Sequence, residues 1–325
     1  MLLRAEWRRR IRRFSQRRKN DLIYVLALLG LWLFRRIPLA LSIPVGSFLG
    51  WVAYCVLRTE RARALEHLCI AFPQEKSQRE RRRIARRSFQ NLGRNAAEVV
   101  NYYRIKGDLD RYITVVGEEH LDRALAQGMG VLWITAHLGN WELLACYWAQ
   151  RGYRLNVVAR GLYDERLNRL LLRFRKEAGV AVILRDSPTA GRGILKALKR
   201  REFLAMLIDQ DTKVKGVMVD FFGRKANTPA GPALLACRKP IPVIAGFIHR
   251  VTDRSHEIVI CPPVEIVRTG NEVQDVEVNT ERFNKILESY IRKYPEQWVW
   301  MHRRWRRQMP YQGVSARQPA DAVSI

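Results

Sequence analysis

Hydrophobic positions fall into three regimes along the chain. Between residues 21 and 34, "DLIYVLALLGLWLF" is almost unbroken apolar sequence, and beyond Arg35 and Arg36 a second run, "IPLALSIPVGSFLGWVAYCVL", covers residues 37–57. From about residue 60 to 105 the pattern changes. Leu65, Leu68 and Ile70, then Ile84, Phe89, Leu92, Ala96 and Val99, recur at roughly helical spacing among many arginines, which predicts two amphipathic helices broken at Phe72-Pro73. Beyond Tyr112 the apolar runs shorten to strand length, at 131–135, 155–160, 180–184, 203–209, 216–222, 242–250 and 256–264. Helical stretches at 141–150, 165–178, 190–199 and 229–237 separate most of them, and a last helix is predicted over 280–294. Such alternation implies an α/β fold: a mostly parallel central sheet flanked by helices.

The two N-terminal runs raise the question of a membrane. A bilayer span needs ~20 apolar residues, so the first run is too short. The second is long enough, but Pro38, Pro44, Gly46 and Gly50 interrupt it. A kinked or half-inserted segment, a clean span and a buried helical hairpin all stay open. Before these runs, "MLLRAEWRRRIRRFSQRRK" sets Trp7, Ile11 and Phe14 among arginines, and Arg58, Arg61 and Arg63 follow them. Basic flanks on both sides place both on the cytoplasmic face by the positive-inside rule. A signal peptide fits poorly, because the basic region is long and no small-residue cleavage site follows the first apolar run. The chain therefore divides into a basic N-terminal membrane anchor over 1–60, a globular body over 61–308 and a disordered tail over 309–325.

Charge sharpens the choice of partner. Fifty-eight Lys and Arg against 31 Asp and Glu give +27 across 325 residues, which calls for a polyanionic environment. Nucleic acid fits poorly: no helix-turn-helix, zinc-finger or RNP pattern accompanies the charge, and the aromatic residues cluster in apolar runs. An anionic membrane surface or an acidic protein remains. The five cysteines are odd in number and lack a C-x-x-C pair. They read as free thiols filling small apolar positions rather than as a disulfide framework or zinc site.

Candidate chemistry centres on "ITAHLGNWELL". His137 follows the strand at 131–135, Gly139 permits a tight turn, Asn140 is a good N-cap, and Glu142 falls in the first turn of the next helix, where its charge is favoured. In open α/β sheets ligands bind beyond the carboxyl ends of strands. Two readings stand. Glu142 folds back to orient His137 as it takes a proton from a hydroxyl, or His137 fills a polar corner beside a cap. His-x-x-x-x-Glu is not the zinc signature, and no third ligand is evident, so no metal is expected. Arg160, ending the next strand, either meets a phosphate or developing oxyanion or makes an ion pair with Asp164 or Glu165. Asp209 and Asp211 reach the same sheet edge, as caps or as site residues. Thr228-Pro229 reads as an N-cap with proline at the first helical position. Near the C-terminus, Trp298, Trp300 and Trp305 among Arg303, Arg304 and Arg306 suit a membrane interface or the core.

"HLGNWE" resembles the acyltransferase motif of the bacterial lipid A biosynthesis acyltransferases, late lauroyl and myristoyl transferases of the glycerolipid acyltransferase-like superfamily. Later landmarks resemble the same family in order: Arg160 in "VVAR", the block "DQDTKVKGVMVDFFGRKANTPAGPALLA", and "YPEQWVWMHRRW". The resemblance runs from the N-terminal anchor to about Trp305. It implies a glycerolipid acyltransferase-like domain over 61–308 that moves a fatty acyl chain from acyl carrier protein thioester, or from acyl-CoA, to a hydroxyl of a lipid A precursor. It further implies His137 as general base assisted by Glu142, with substrate binding by Arg160, Asn140, Asp209, Asp211 and Thr228. No cofactor is expected. Location at the cytoplasmic face of a bacterial inner membrane follows from the same resemblance. Where many members carry "RP" after the strand arginine this chain reads "ARGLYDERLN", which leaves the acceptor open. A phosphatidylinositol mannoside or ornithine lipid would suit the same chemistry, and a non-catalytic membrane scaffold is the reading from a different class.

Overall fold

A computed structural model describes residues 2–306, so the tail expected over 309–325, like the side chains of Trp7, Ile11 and Phe14, lies outside the described residues. Helix α1 (Leu2–Arg36) joins the basic segment and the first apolar run into one rod. Pro38, with its fixed φ and no N–H, separates it from α2 (Leu39–Val56), which runs through Pro44 without ending. Helices α3 (Arg58–Ala71) and α4 (Gln78–Val100) break at Phe72-Pro73, where the pattern placed the boundary. A capping box opens α4: Glu80 N–H donates to Ser77 Oγ, and Ser77 N–H donates back to the Glu80 carboxylate at 2.8 Å.

Helix α2 lies along α4 by glycine contacts. A Cβ on Gly46 would sit 2.4 Å from the Gly93 carbonyl oxygen, and one on Gly50 would sit 2.3 Å from that of Phe89. Only hydrogen fits at either position. The opposite face of α2 leaves Leu41, Phe48, Leu49 and Trp51 exposed, as α1 does Leu22, Leu26, Leu29 and Trp32. That exposure overturns the buried-hairpin alternative.

After the single-turn helices α5 (Tyr102–Ile105) and α6 (Leu109–Tyr112), the α/β body begins with β1 (Ile113–Val116) and α7 (Glu118–Leu125). It continues through β2 (Val131–Thr135), α8 (Trp141–Gln150), β3 (Leu155–Ala159), α9 (Glu165–Glu177), β4 (Ala181–Leu184), α10 (Ala190–Lys199) and β5 (Phe203–Leu207). A hairpin, β6 (Gly216–Phe221) with β7 (Arg224–Pro229), leads to α11 (Gly231–Arg238), β8 (Val243–Thr252), β9 (Ser255–Ile260) and α12 (Glu272–Lys293). The seven-stranded sheet runs β1-β9-β8-β2-β5-β3-β4. Its pairs are parallel except β8 with β9. The sheet is therefore mixed at one edge and parallel through the site.

Three sequence expectations need correction. The run at 216–222 is not a strand of the main sheet; it pairs antiparallel with β7 in a separate hairpin. Thr228 and Pro229 end β7 rather than opening a helix, and α11 starts at Gly231 with Ala230 as its N-cap residue. The last helix begins at Glu272, eight residues before the expected start, because the Asn271 side chain caps Gln274 N–H.

Alternation along the central strands divides the core. Leu132, Ile134, Leu204 and Met206 face the layer built from α3, α4, α11 and α12, while Val131, Trp133, Phe203 and Ala205 face the layer holding α8. Trp298 and Trp300 are fully buried and Arg304 is sealed in with them, so this part of the tryptophan-rich segment belongs to the core rather than to a membrane interface. All five cysteines are free; Cys146 is buried, whereas Cys55 and Cys69 are exposed, against the expectation of uniformly buried thiols.

Candidate active site

Strands β2 and β5 are parallel neighbours with Thr135 beside Leu207, so the turns beyond them emerge side by side. His137 leaves β2 and Asp209 leaves β5. His137 Nδ1 lies 2.8 Å from Asp209 Oδ1, and the His137 backbone N–H donates to Asp209 Oδ2 at 2.9 Å. The carboxylate fixes the tautomer: Nδ1 carries the hydrogen, which leaves Nε2 able to accept a proton at the cavity. Trp298 Nε1–H adds a third bond to Asp209 Oδ2 at 2.7 Å. Burial of Asp209 opposes its charge, but the His137 ring and these donors outweigh it and hold the carboxyl down to about 2.

Glu142 does something else. Its carboxylate takes a two-pronged contact from Arg175 on α9, 2.9 Å to Nε and 2.5 Å to Nη2, with both side chains largely buried. The expectation that Glu142 orients His137 is therefore corrected: the helical turn that opens α8 points its carboxylate toward α9, and the partner of His137 comes from the adjacent strand. Spacing within one motif gave no signal for a residue 72 positions away.

The His137 turn is clamped from two sides. Gly139 has φ +58°, and a Cβ there would sit 1.9 Å from the Ile248 carbonyl oxygen, so glycine is required. Gly139 N–H donates to Gln297 O at 3.1 Å, and Leu138 bridges Trp298, which lays the C-terminal signature along the turn. From α4, Asn95 Nδ2 donates to Gly139 O, and Glu98 Oε2 accepts from Asn140 Nδ2 at 2.8 Å. Asn140 Oδ1 in turn accepts from Leu143 N–H, capping α8. Behind it Glu98 pairs with Arg250 at 2.6 Å and His256 at 2.9 Å, all three buried. Asn140 is thus a buried support of the turn and not a surface for substrate.

A cavity of about 660 Å³ opens at His137 and runs between the sheet and α8. Because strands deliver their carboxyl ends to one edge, polar groups gather at the mouth: Arg160 after β3, Arg185 after β4, and Gln210 to Lys213 after β5, joined by His302 and Arg306. The inner wall is apolar, from Leu144, Ala145 and Trp148 on α8 to Val157, Ala205 and Trp133 on the sheet. Arg160 is over half exposed and meets Asp186 at 3.6 Å, not Asp164, which caps α9, nor Glu165. Asp211 lines the cavity and accepts from Asn227 Nδ2 at 3.0 Å. Thr228 is buried away from it, its hydroxyl accepting from Arg304 and Asn284, so a substrate contact there is excluded by packing. Sequence reasoning passed over Arg175, Arg185 and the Trp298 bond; the tryptophan was seen, but nothing local tied it to Asp209.

Comparison with known proteins gives the family. The family model described as bacterial lipid A biosynthesis acyltransferase matches residues 12–307. A lipid A biosynthesis lauroyltransferase of Escherichia coli is 26% identical over 87% of this chain and 92% of its own length. A lipid A biosynthesis palmitoleoyltransferase of the same organism is 27% identical over 85% and 88%. A phosphatidylinositol mannoside acyltransferase of Mycobacterium tuberculosis is 31% identical over 46% of this chain, a match that spans only about half, 49%, of that relative. The chain belongs to the bacterial lipid A biosynthesis acyltransferase family.

Proposed function

We propose that the protein transfers a fatty acyl chain from a carrier thioester to a hydroxyl of a lipid A precursor at the cytoplasmic face of a bacterial inner membrane. One observation carries the reading: the His137–Asp209 pair stands where an apolar cavity meets a cationic mouth. The acceptor O–H gives its proton to His137 Nε2 as its oxygen attacks the thioester carbonyl. Asp209 stabilises the imidazolium. Collapse of the tetrahedral adduct breaks the carbon–sulfur bond, and the thiolate leaves with the proton returned from Nε2. The acyl chain lies in the cavity, while Arg160, Arg185, Lys213 and Arg306 face acceptor phosphates or the phosphopantetheine phosphate of acyl carrier protein. Thioester energy suffices, and no cofactor enters these steps.

The charge and the N-terminal helices support membrane docking. Helix α2 is long and apolar enough to cross a bilayer by length and composition. Its partner α4 nonetheless exposes Arg86 and Arg87 beside the last turns of α2 and Arg79, Arg82 and Arg83 at or beyond its end, a cationic level that suits headgroups rather than the bilayer centre. An in-plane α2, its Phe48 and Trp51 in the acyl region and the arginines at headgroups, satisfies both helices.

The test is acyl transfer by membranes containing the full chain, with tetra-acylated lipid A precursor and a panel of acyl carrier protein thioesters, comparing wild type with His137→Ala. A product heavier by one acyl chain, lost in the variant, is the expected result. No product with any donor overturns the lipid A reading. A second acceptor class, phosphatidylinositol mannoside, earns its arm of the assay from the 31% identity to the mycobacterial relative.

A further inference from the structure

How deep the cavity runs depends on one side chain lying down. Trp133, on β2, lies four residues before His137, about 13 Å along the strand at ~3.3 Å per residue. Its side chain faces the cavity side of the sheet. An upright indole would occupy the space above β2. Instead the ring reclines over β8 onto Gly246, and its Nε1–H donates to the Gly246 carbonyl at 3.3 Å. The fit has no slack. A Cβ on Gly246 would lie 1.9 Å from Trp133 Cζ2 and 2.6 Å from both Cε2 and Cη2.

Around the reclining ring the inner end is closed by aromatic contacts. Trp133 meets Trp148 at 5.7 Å and Phe203 at 6.3 Å, and Tyr153 completes the circuit against Trp148 at 5.5 Å and Phe203 at 5.0 Å. Each contact is tilted or edge-on, the geometry that aromatic pairs prefer, and Trp133, Trp148 and Phe203 are almost fully buried. Close-packed interiors yield little to an extra methylene. A chain entering past His137 therefore meets a wall, not a flexible end.

We propose that this aromatic floor measures the acyl chain, and that Gly246 sets the measure by letting Trp133 lie flat. The inference rests on the acyltransferase reading and deepens it: it names Trp133, Trp148, Phe203 and Gly246 as specificity-determining residues at the end of the cavity opposite the reacting carbonyl. A Cβ at 246 drives the indole back over β2 and shortens the cavity. A smaller ring at 133 or 148 lengthens it.

The experiment uses the full-length protein with saturated donors differing by two carbons, and reads product chain length by mass spectrometry. Folding of each variant is verified by thermal melting. Trp133→Phe and Trp148→Phe are expected to raise the rate ratio of a donor two carbons longer than the wild-type optimum by about tenfold, the factor that two buried methylenes are worth. Gly246→Ala shifts the optimum shorter by a comparable ratio. A second readout needs no acceptor: displacement of a fluorescent acyl-CoA by the same graded chains, whose length cut-off moves with the variants. Transfer with an unmoved optimum in folded variants overturns the floor and leaves the acyltransferase reading standing. A wild type without transfer but with a cut-off that moves overturns the reaction and keeps the floor. No transfer and a fixed cut-off overturn both.

Discussion

Trp298 donates its indole N–H to Asp209 at 2.7 Å, on the same oxygen that takes the backbone N–H of His137. A residue near the end of the described chain thus holds the carboxylate that orients His137. Replacing it with Phe keeps the ring and removes the donor. Hydrogen bonds to charged groups contribute about 1.5–3 kcal/mol, so Trp298→Phe is expected to lower kcat by about tenfold or more with KM nearly unchanged. Steady-state kinetics at saturating donor checks this, and an unaltered kcat would show that two bonds are enough.

Asp209 and Glu142 should separate cleanly. Asp209→Asn disturbs the tautomer of His137 and removes the counter-charge, with an expected loss of about 10²–10⁴ in kcat. Glu142→Gln leaves the dyad intact but strips Arg175 of its partner in a largely buried pair. Its main effect is a drop in melting temperature, with stability down by about 3 kcal/mol. Rates and melting curves for the two variants, measured together, test the division; the reverse ranking would return Glu142 to the proton transfer.

Glu98 joins Arg250, His256 and Asn140, all of them buried. Glu98→Gln strands the Arg250 charge and is expected to cost about 3 kcal/mol or more. Pairing it with Arg250→Gln should recover part of that loss. A double-mutant cycle by chemical denaturation reads the coupling, and strict additivity would refute a shared network.

His67 gives the fold an acid limit. Its Nδ1–H lies 2.8 Å from the Trp300 carbonyl, and burial holds its pKa at about 4 against 6.5 for the free ring. Between those values the unfolded chain takes a proton that the folded chain refuses. The share of stability linked to neutral His67 is therefore complete above about pH 6.5 and is lost as the pH falls toward 4. Melting temperatures across that range should fall for the wild type and fall less steeply for His67→Leu; equal slopes would place the sensitivity elsewhere.

Much of the body was legible because period and punctuation agree there. Trp141–Gln150 and Ala190–Lys199 are helices at the bounds their patterns gave, and His137 stands beyond its strand as "VLWITAH" implied. What failed was pairing. Hydrophobic alternation cannot tell a hairpin strand from a sheet strand, so nothing in 216–222 marks it as lying outside the seven-stranded sheet. The partner of His137 was equally hidden, since strand order puts β5 beside β2 while two strands and three helices intervene in sequence. Glu142 was the nearer carboxylate along the chain, and its helix aims it at Arg175.

The clamp of Gln297 and Trp298 on the His137 turn also has a timing. Synthesis runs from the N-terminus at ~5–20 residues per second. The basic rod and α2 are therefore complete long before residue 298 emerges, and His137 and Asp209 precede it as well. Until the last segment docks, the carboxylate lacks its indole donor and Gly139 lacks its carbonyl. Alignment of the His137–Asp209 pair is thus the last event in the folding of this body, set by residues at the far end of the chain from the helices that open it.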